Sequence, residues 1–223
     1  MIMMNLFSMF DPATSINFSM NWMTSIWVLF FIPSMYWLIP SRWNYFLIMI
    51  IQSLIKEFSL ILNSKKNLFN ILLLVSLLMM IFMNNFLGMF PYVFVSTSHM
   101  VFGLSLSLSM WLSFMLYGWI TNMNHMFIHL VPQGTPLVLI AFMVLIETIS
   151  NFMRFGSLAV RLSANIIAGH LIMEMLSSMC LSGMIISLFV LLAQCILTLF
   201  EFSVTFIQAY VFTILIILYS MEL

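Results

Sequence analysis

Between residues 67 and 146 the chain contains no aspartate, glutamate, lysine or arginine. A soluble fold does not hydrate its surface without charge over so long a stretch, since soluble domains carry about 25% charged residues. Over all 223 residues the charged share is 5% and the hydrophobic share 64%, with 6 basic and 6 acidic side chains and a formal net charge of +0. Those figures exclude a soluble globule, a disordered tail and a nucleic-acid binder with a basic patch. They predict an all-α integral membrane protein, a single membrane domain over 1–223 with no soluble portion and no internal repeat.

A span needs about 20 mostly apolar residues. The first falls at about 20–39, with Trp22 and Trp37 placed as interfacial anchors and Pro40-Ser41 as its stop. Residues 42–64 differ. Gln52, Lys56, Ser59 and Asn63 recur at helical spacing as one polar stripe, and Arg42, Lys56, Lys65 and Lys66 make this neighbourhood the most basic in the chain. That pattern predicts an amphipathic helix lying in the membrane interface. The positive-inside rule places it on the cytoplasm-like side, with the N-terminus outside. Two spans follow at about 68–90 and 101–120, parted by a turn at FPYVFVSTSH. A polar loop, TNMNHMFIHLVPQGTP, carries the breakers Pro132, Gly134 and Pro136. Long apolar stretches at about 137–180 and 184–220 come last, split near Ser182-Gly183. Each exceeds a simple span, so strong tilt or a kink is implied. Residues 1–12 have no lysine or arginine and offer no basic leader, so insertion is expected through the chain's own helices.

Charge returns inside the last two stretches. Glu147, Arg154, Arg161, Glu174 and Glu201 lie in apolar helix, and Glu222 lies near the end. An ionisable residue in a membrane core is costly and marks a functional site by default, the plain alternative being a neutralised ion pair. At about 100° per residue, Glu147, Asn151, Arg154, Leu158, Arg161 and Asn165 fall near one line if the helix is continuous, although Gly156 is placed to bend it. His170 lies opposite Arg161, with Glu174 one turn beyond. Glu201, Thr205 and Gln208 share a face of the last helix. A hinge near 182 brings His170 toward about 194–201. Arginine stays protonated and serves as a fixed cation, whereas histidine and a glutamate withdrawn from water exchange protons.

Other chemistry is thin. Cys180 and Cys195 sit singly and read as small hydrophobes, with no metal-ligand spacing. His125 and His129 form an i, i+4 pair suited to a metal or haem, but in a stretch that reads as loop, and His99 sits in a turn. Water and lipid headgroups account for these three. No phosphate loop or nucleophilic triad is present, no cofactor is expected and the catalytic set is empty.

The segment LAVRLSANIIAGHLI at 158–172 resembles the signature of subunit a of F-type ATP synthases, in the version found in arthropod-like animal mitochondria. SMYWLIPSRW, NNFLGMFPYVFVSTSHM, MLYGWI, HMFIHLVPQGTP, IETISNFMR and QAYVFTILIILYS extend the resemblance over nearly the whole chain. It implies one N-terminal span, an interfacial helix, a two-span hairpin and two long tilted helices packed against a ring of c subunits. It implies a proton-translocating stator subunit of the membrane Fo sector, with two half-channels that couple proton flow to ring rotation and ATP synthesis. Such a chain is not catalytic alone. Its partners are the c-ring, other Fo stator subunits, the lipid bilayer and protons, with no nucleic acid. Its place is the mitochondrial inner membrane, with the N-terminus on the intermembrane-space side and the interfacial helix on the matrix side.

By the same resemblance, Arg161 faces the ring carboxylate and blocks leakage between the half-channels, with Asn165 and Gln208 as polar neighbours. His170 and Glu201 line the intermembrane-space half-channel, and Glu147 the matrix one. Glu174, Asn151 and Thr205 are accessory candidates for proton translocation. The chain departs from its relatives in three places. Phe155 stands where proline is usual, so the bend before Arg161 rests on Gly156 alone. Glu174 stands at a usually apolar position, and Arg154 is not general.

Two rival classes remain in view. A stand-alone proton or ion channel or secondary transporter also places charge at mid-membrane, but with repeats and broken helices that are not visible here. A haem or quinone subunit needs histidines from two spans, and only His170 lies deep in a helix.

Overall fold

The computed structural model describes residues 6–15, 18–32, 38–62, 68–90, 92–131, 139–180 and 184–222. Lys65, Lys66 and Asn63 fall outside these residues, as do Pro132, Gly134, Pro136 and the Ser182-Gly183 split. Seven α-helices and no strand occur among the described residues: α1 Thr24–Phe31, α2 Arg42–Leu62, α3 Leu68–Gly88, α4 Met100–Thr121, α5 Met123–His129, α6 Ile140–Met179 and α7 Met184–Glu222. Five of them, α2, α3, α4, α6 and α7, are long and apolar enough to cross a membrane. The protein is an all-α, multi-pass membrane protein.

Local chemistry explains the elements. Ser41 begins α2, its Oγ accepting the amide of Asn44 at 3.4 Å. The serines of α4 do not break it, because Ser105, Ser109 and Ser113 each donate to the carbonyl three residues back at 2.7–3.0 Å. A hydroxyl satisfied within its own helix is tolerated in lipid. Between α3 and α4 the chain turns at Tyr92 (φ 66°) and forms a short 3-10 segment, Ser96–Ser98, that is fully buried.

One expectation needs correction. The stretch expected as loop contains α5, since Asn122 ends α4 and its carbonyl accepts the amide of Met126 at 3.1 Å to start a new helix. His125 is therefore helical, and His129 ends that helix. Gly156 does not interrupt α6, which runs for 40 residues, and Phe155 packs on Trp111 with ring centroids 5.0 Å apart. Of the first expected span, residues 33–37 with Trp37 lie outside the described residues, and the part described is a 3-10 turn Met20–Met23 followed by the 8 residues of α1.

The core lies where α2, α3, α6 and α7 meet, around Phe58, Leu74, Ile81, Leu162, Phe212 and Ile217. Phe82 and Phe86 of α3 meet Phe206 and Phe202 of α7 edge-on at 5.6 and 5.9 Å, which sets these helices antiparallel. In lipid such packing, rather than water exclusion, holds helices together. α4 reaches α6 through small residues: a Cβ on Gly103 would lie 3.2 Å from the Ala159 carbonyl oxygen. That contact turns Leu158, Ala159, Leu162, Ser163 and Ile166 inward. Arg161 is left on the outer face of α6.

Candidate functional site

α6 carries five charged or imidazole side chains, Glu147, Arg154, Arg161, His170 and Glu174, and the structure divides the first four among three places. Toward its N-terminal end, Glu147, Thr148, Asn151 and Arg154 line a cavity of about 660 Å³ with Trp111 and Trp119 of α4 and Tyr219 of α7. The Arg154 guanidinium stands 5.5 Å from the centroid of the Tyr219 ring. The cavity therefore combines a carboxylate and a cation with largely apolar and aromatic walls.

The second place is smaller. Asn165, Ile166, Gly169 and His170 of α6 face Glu201, Thr205 and Gln208 of α7, Asn85 of α3 and Met89 just after it around a cavity of about 30 Å³. That volume admits about one water molecule. Asn165 Nδ2 donates to Gln208 Oε1 at 3.0 Å, and Gln208 is 7% exposed. Gly169 leaves room for the Glu201 side chain against α6, since a Cβ there would lie 2.6 Å from Glu201 Oε1. Glu201 Oε1 is buried and has no hydrogen-bond partner among the described residues. A buried acceptor without a donor calls for water or a proton.

Arg161 occupies the third place, between the other two and lining neither. It lies about 15 Å along the axis from Asn151 and about 14 Å from His170, at 1.5 Å rise per residue. Its side chain is exposed, with no ion pair or hydrogen bond among the described residues. A guanidinium on an apolar outer face needs an anionic partner from outside the chain.

The expected line from Glu147 to Asn165 is thus one stripe of α6 but not one site. The stripe runs along the edge of the buried face: Leu158 turns into the core, Arg161 turns out, and the ends enter different cavities. Glu201, Thr205 and Gln208 do meet at one cavity, together with His170. Glu174 is half-buried one turn beyond and lines neither cavity, its Oε2 buried and without a partner among the described residues. Sequence reasoning did not single out Asn85, which is 2% exposed with neither side-chain polar atom paired. The Asn84-Asn85 pair in an otherwise apolar helix was the available signal. Tyr219 was missed too. No group of histidine, cysteine and carboxylate residues arranged to hold a metal occurs among the described residues.

Comparison with known proteins gives a consistent result. A family model described as ATP synthase A chain matches residues 16–221. ATP synthase subunit a of Locusta migratoria is 52% identical over 223 residues, 99% of both chains. The protein of the same description in Drosophila yakuba is 51% identical over 223 residues, again 99% of both. That of Aedes aegypti is 52% identical over 225 residues, with the same coverage.

Proposed function

The chain belongs to the ATP synthase A-chain family, and from that premise we propose how its residues share the movement of protons. It is the proton-translocating stator subunit of the membrane sector, acting in ATP synthesis with the other subunits of that sector. A stand-alone channel or transporter is not favoured, since relatives matching over the whole length are ATP synthase subunits a.

The outer face of α6 lies against the ring of c subunits, and Arg161 meets the ring carboxylate. The small cavity with His170 and Glu201 belongs to the half-channel from the intermembrane space. The large one with Glu147 belongs to the half-channel to the matrix. A proton passes Glu201 and His170 and neutralises the ring carboxylate, whose neutral form crosses lipid at far lower cost than its anion. The ring turns, and the proton leaves past Glu147. Arg161 cannot carry the proton, and its fixed charge separates the two routes. Asn165, held by Gln208, orders the surface beside it, with Asn151 and Thr205 as wall residues. The driving energy is about 2.3 kcal/mol per charge per 100 mV.

The membrane is the mitochondrial inner membrane, with the N-terminus toward the intermembrane space and α2 on the matrix side. α2 lies in the interface although its length would let it cross. Gln52, Lys56 and Ser59 form an exposed polar strip to one side of the buried Phe58 and Leu62, which suits a helix with one face in headgroups.

The observation that carries the proposal is the outward Arg161 between two polar cavities. Arg161→Ala in the assembled synthase is expected to abolish ATP-driven proton pumping while the chain still comigrates with the ATPase on native electrophoresis. Normal pumping by that variant overturns the proposal.

A further inference from the structure

Among the described residues, six of the seven buried side-chain atoms that lack hydrogen-bond partners gather at one end of the molecule: both polar atoms of Asn85, Thr97 Oγ1, His99 Nε2, Glu174 Oε2 and Glu201 Oε1. They belong to the C-terminal part of α3, the 92–99 connector, the C-terminal half of α6, and α7. Residues of α3, α6 and α7 line the small cavity, and the Ser96–Ser98 turn of the connector packs on α6 and α3. Buried polar atoms left unpaired by protein are where ordered water sits.

The helix geometry orders these groups. Glu174 is about 40° around α6 from His170 and about 6 Å further along it. It is about 140° from Gly169, which touches Glu201, so it does not extend that α6–α7 contact. It instead continues the His170 side of the helix. Glu174 is also half-buried, one carboxylate oxygen enclosed while the residue keeps some exposure. It joins surface to interior.

We infer that Glu174 is the outer proton-accepting group of the His170–Glu201 half-channel, handing protons inward along water held between α6, the end of α3 and the 92–99 connector. The inference rests on the half-channel reading proposed above. In each step a proton leaves a water oxygen for a Glu174 carboxylate oxygen and then passes to the next water toward His170, so Glu174 returns to its starting state.

The test uses membrane vesicles holding the assembled synthase with its soluble ATPase sector removed, and reads proton flow under an imposed potential. Glu174→Gln, close in shape but unable to carry the proton, is expected to lower conductance by about ten-fold or more, and Glu174→Asp to retain most of it. Glu174→Cys, in a Cys180→Ser and Cys195→Ser background, is expected to conduct poorly. Iodoacetate, which forms a carbon–sulfur bond with loss of iodide and restores a carboxylate, is expected to rescue it; iodoacetamide, which leaves a neutral amide, is not.

A purely structural role predicts equal effects of the two reagents. Parental conductance in Glu174→Gln, equal response to both reagents, or no modification of the cysteine by mass spectrometry would each overturn the inference. Glu201→Gln is the control. If it blocks conduction while Glu174→Gln conducts freely, only this inference falls; if it conducts freely as well, the half-channel reading falls with it.

Discussion

Asn165 Nδ2 of α6 donates to Oε1 of Gln208 of α7 at 3.0 Å, joining residues 43 apart in sequence one helical turn from Arg161. The bond fixes the mutual register of the two long helices where the outward cation and the small cavity come closest. Removing either partner leaves the other amide at an apolar seam. Asn165→Leu and Gln208→Leu are each expected to lower thermal stability of the assembled membrane sector. The double variant should cost less than the sum, with a coupling of about 0.6–1.7 kcal/mol. Strict additivity in that cycle would show that the bond contributes nothing.

Gly169 has a sharper requirement. A methyl group there would meet Glu201 Oε1 at 2.6 Å, and the carboxyl is the movable party. Gly169→Ala is therefore expected to leave assembly largely intact while reducing ATP-driven proton pumping, because Glu201 is displaced from the cavity. Adding Glu201→Asp, one methylene shorter, should recover part of the loss. Unchanged pumping in Gly169→Ala would mean that the position of Glu201 is not critical.

At Gly103 the obstacle is backbone. The Ala159 carbonyl oxygen lies 3.2 Å from the place a Cβ would take. Gly103→Val should force α4 from α6 at a cost of about 1–3 kcal/mol and lower the amount of assembled complex on native electrophoresis. Gly156→Ala is the counter-case. Nothing lies within 4 Å of its Cβ position in the unbroken α6. That change should raise thermal stability by about 0.5–1 kcal/mol through helix propensity.

In the large cavity the Arg154 guanidinium stands over the Tyr219 ring at 5.5 Å. Tyr219→Phe keeps the ring face and should retain more thermal stability than a variant without the ring. Tyr219→Leu removes it and should cost about 0.5–2 kcal/mol. Equal melting of the two variants would dismiss the ring contact as a source of stability.

Much of the helical content was legible because it depends on local sequence. α3, α4, α6 and α7 follow apolar runs whose ends carry glycine, proline or polar residues. Where reading failed, a local preference met a stronger constraint. Polar residues around Asn122 suggested loop, but a single carbonyl acceptor was enough to start α5. At Gly156 the helix continues without interruption, with the Phe155 ring tilted against Trp111. The site was legible in part. Arg161, His170, Glu201 and Glu147 stand out as charge or imidazole in apolar helix, whereas the amide Asn85 of α3 carries no such contrast.

By itself the sequence determined that this chain is a helical membrane protein and which few side chains bear charge within it. Both follow from elementary costs: apolar runs leave the backbone to satisfy itself as helix, and ionisable groups in lipid are too expensive to be incidental. Only the tertiary structure decided which way those side chains look. Helical spacing put Leu158 and Arg161 in one stripe, yet one is core and the other is outer surface. The difference comes from α4 pressing on Ala159 through Gly103 and α7 pressing on α6 at Gly169. Close approaches between segments far apart in sequence depend on what each partner presents to the other, so no single helix carries the rotation it will adopt.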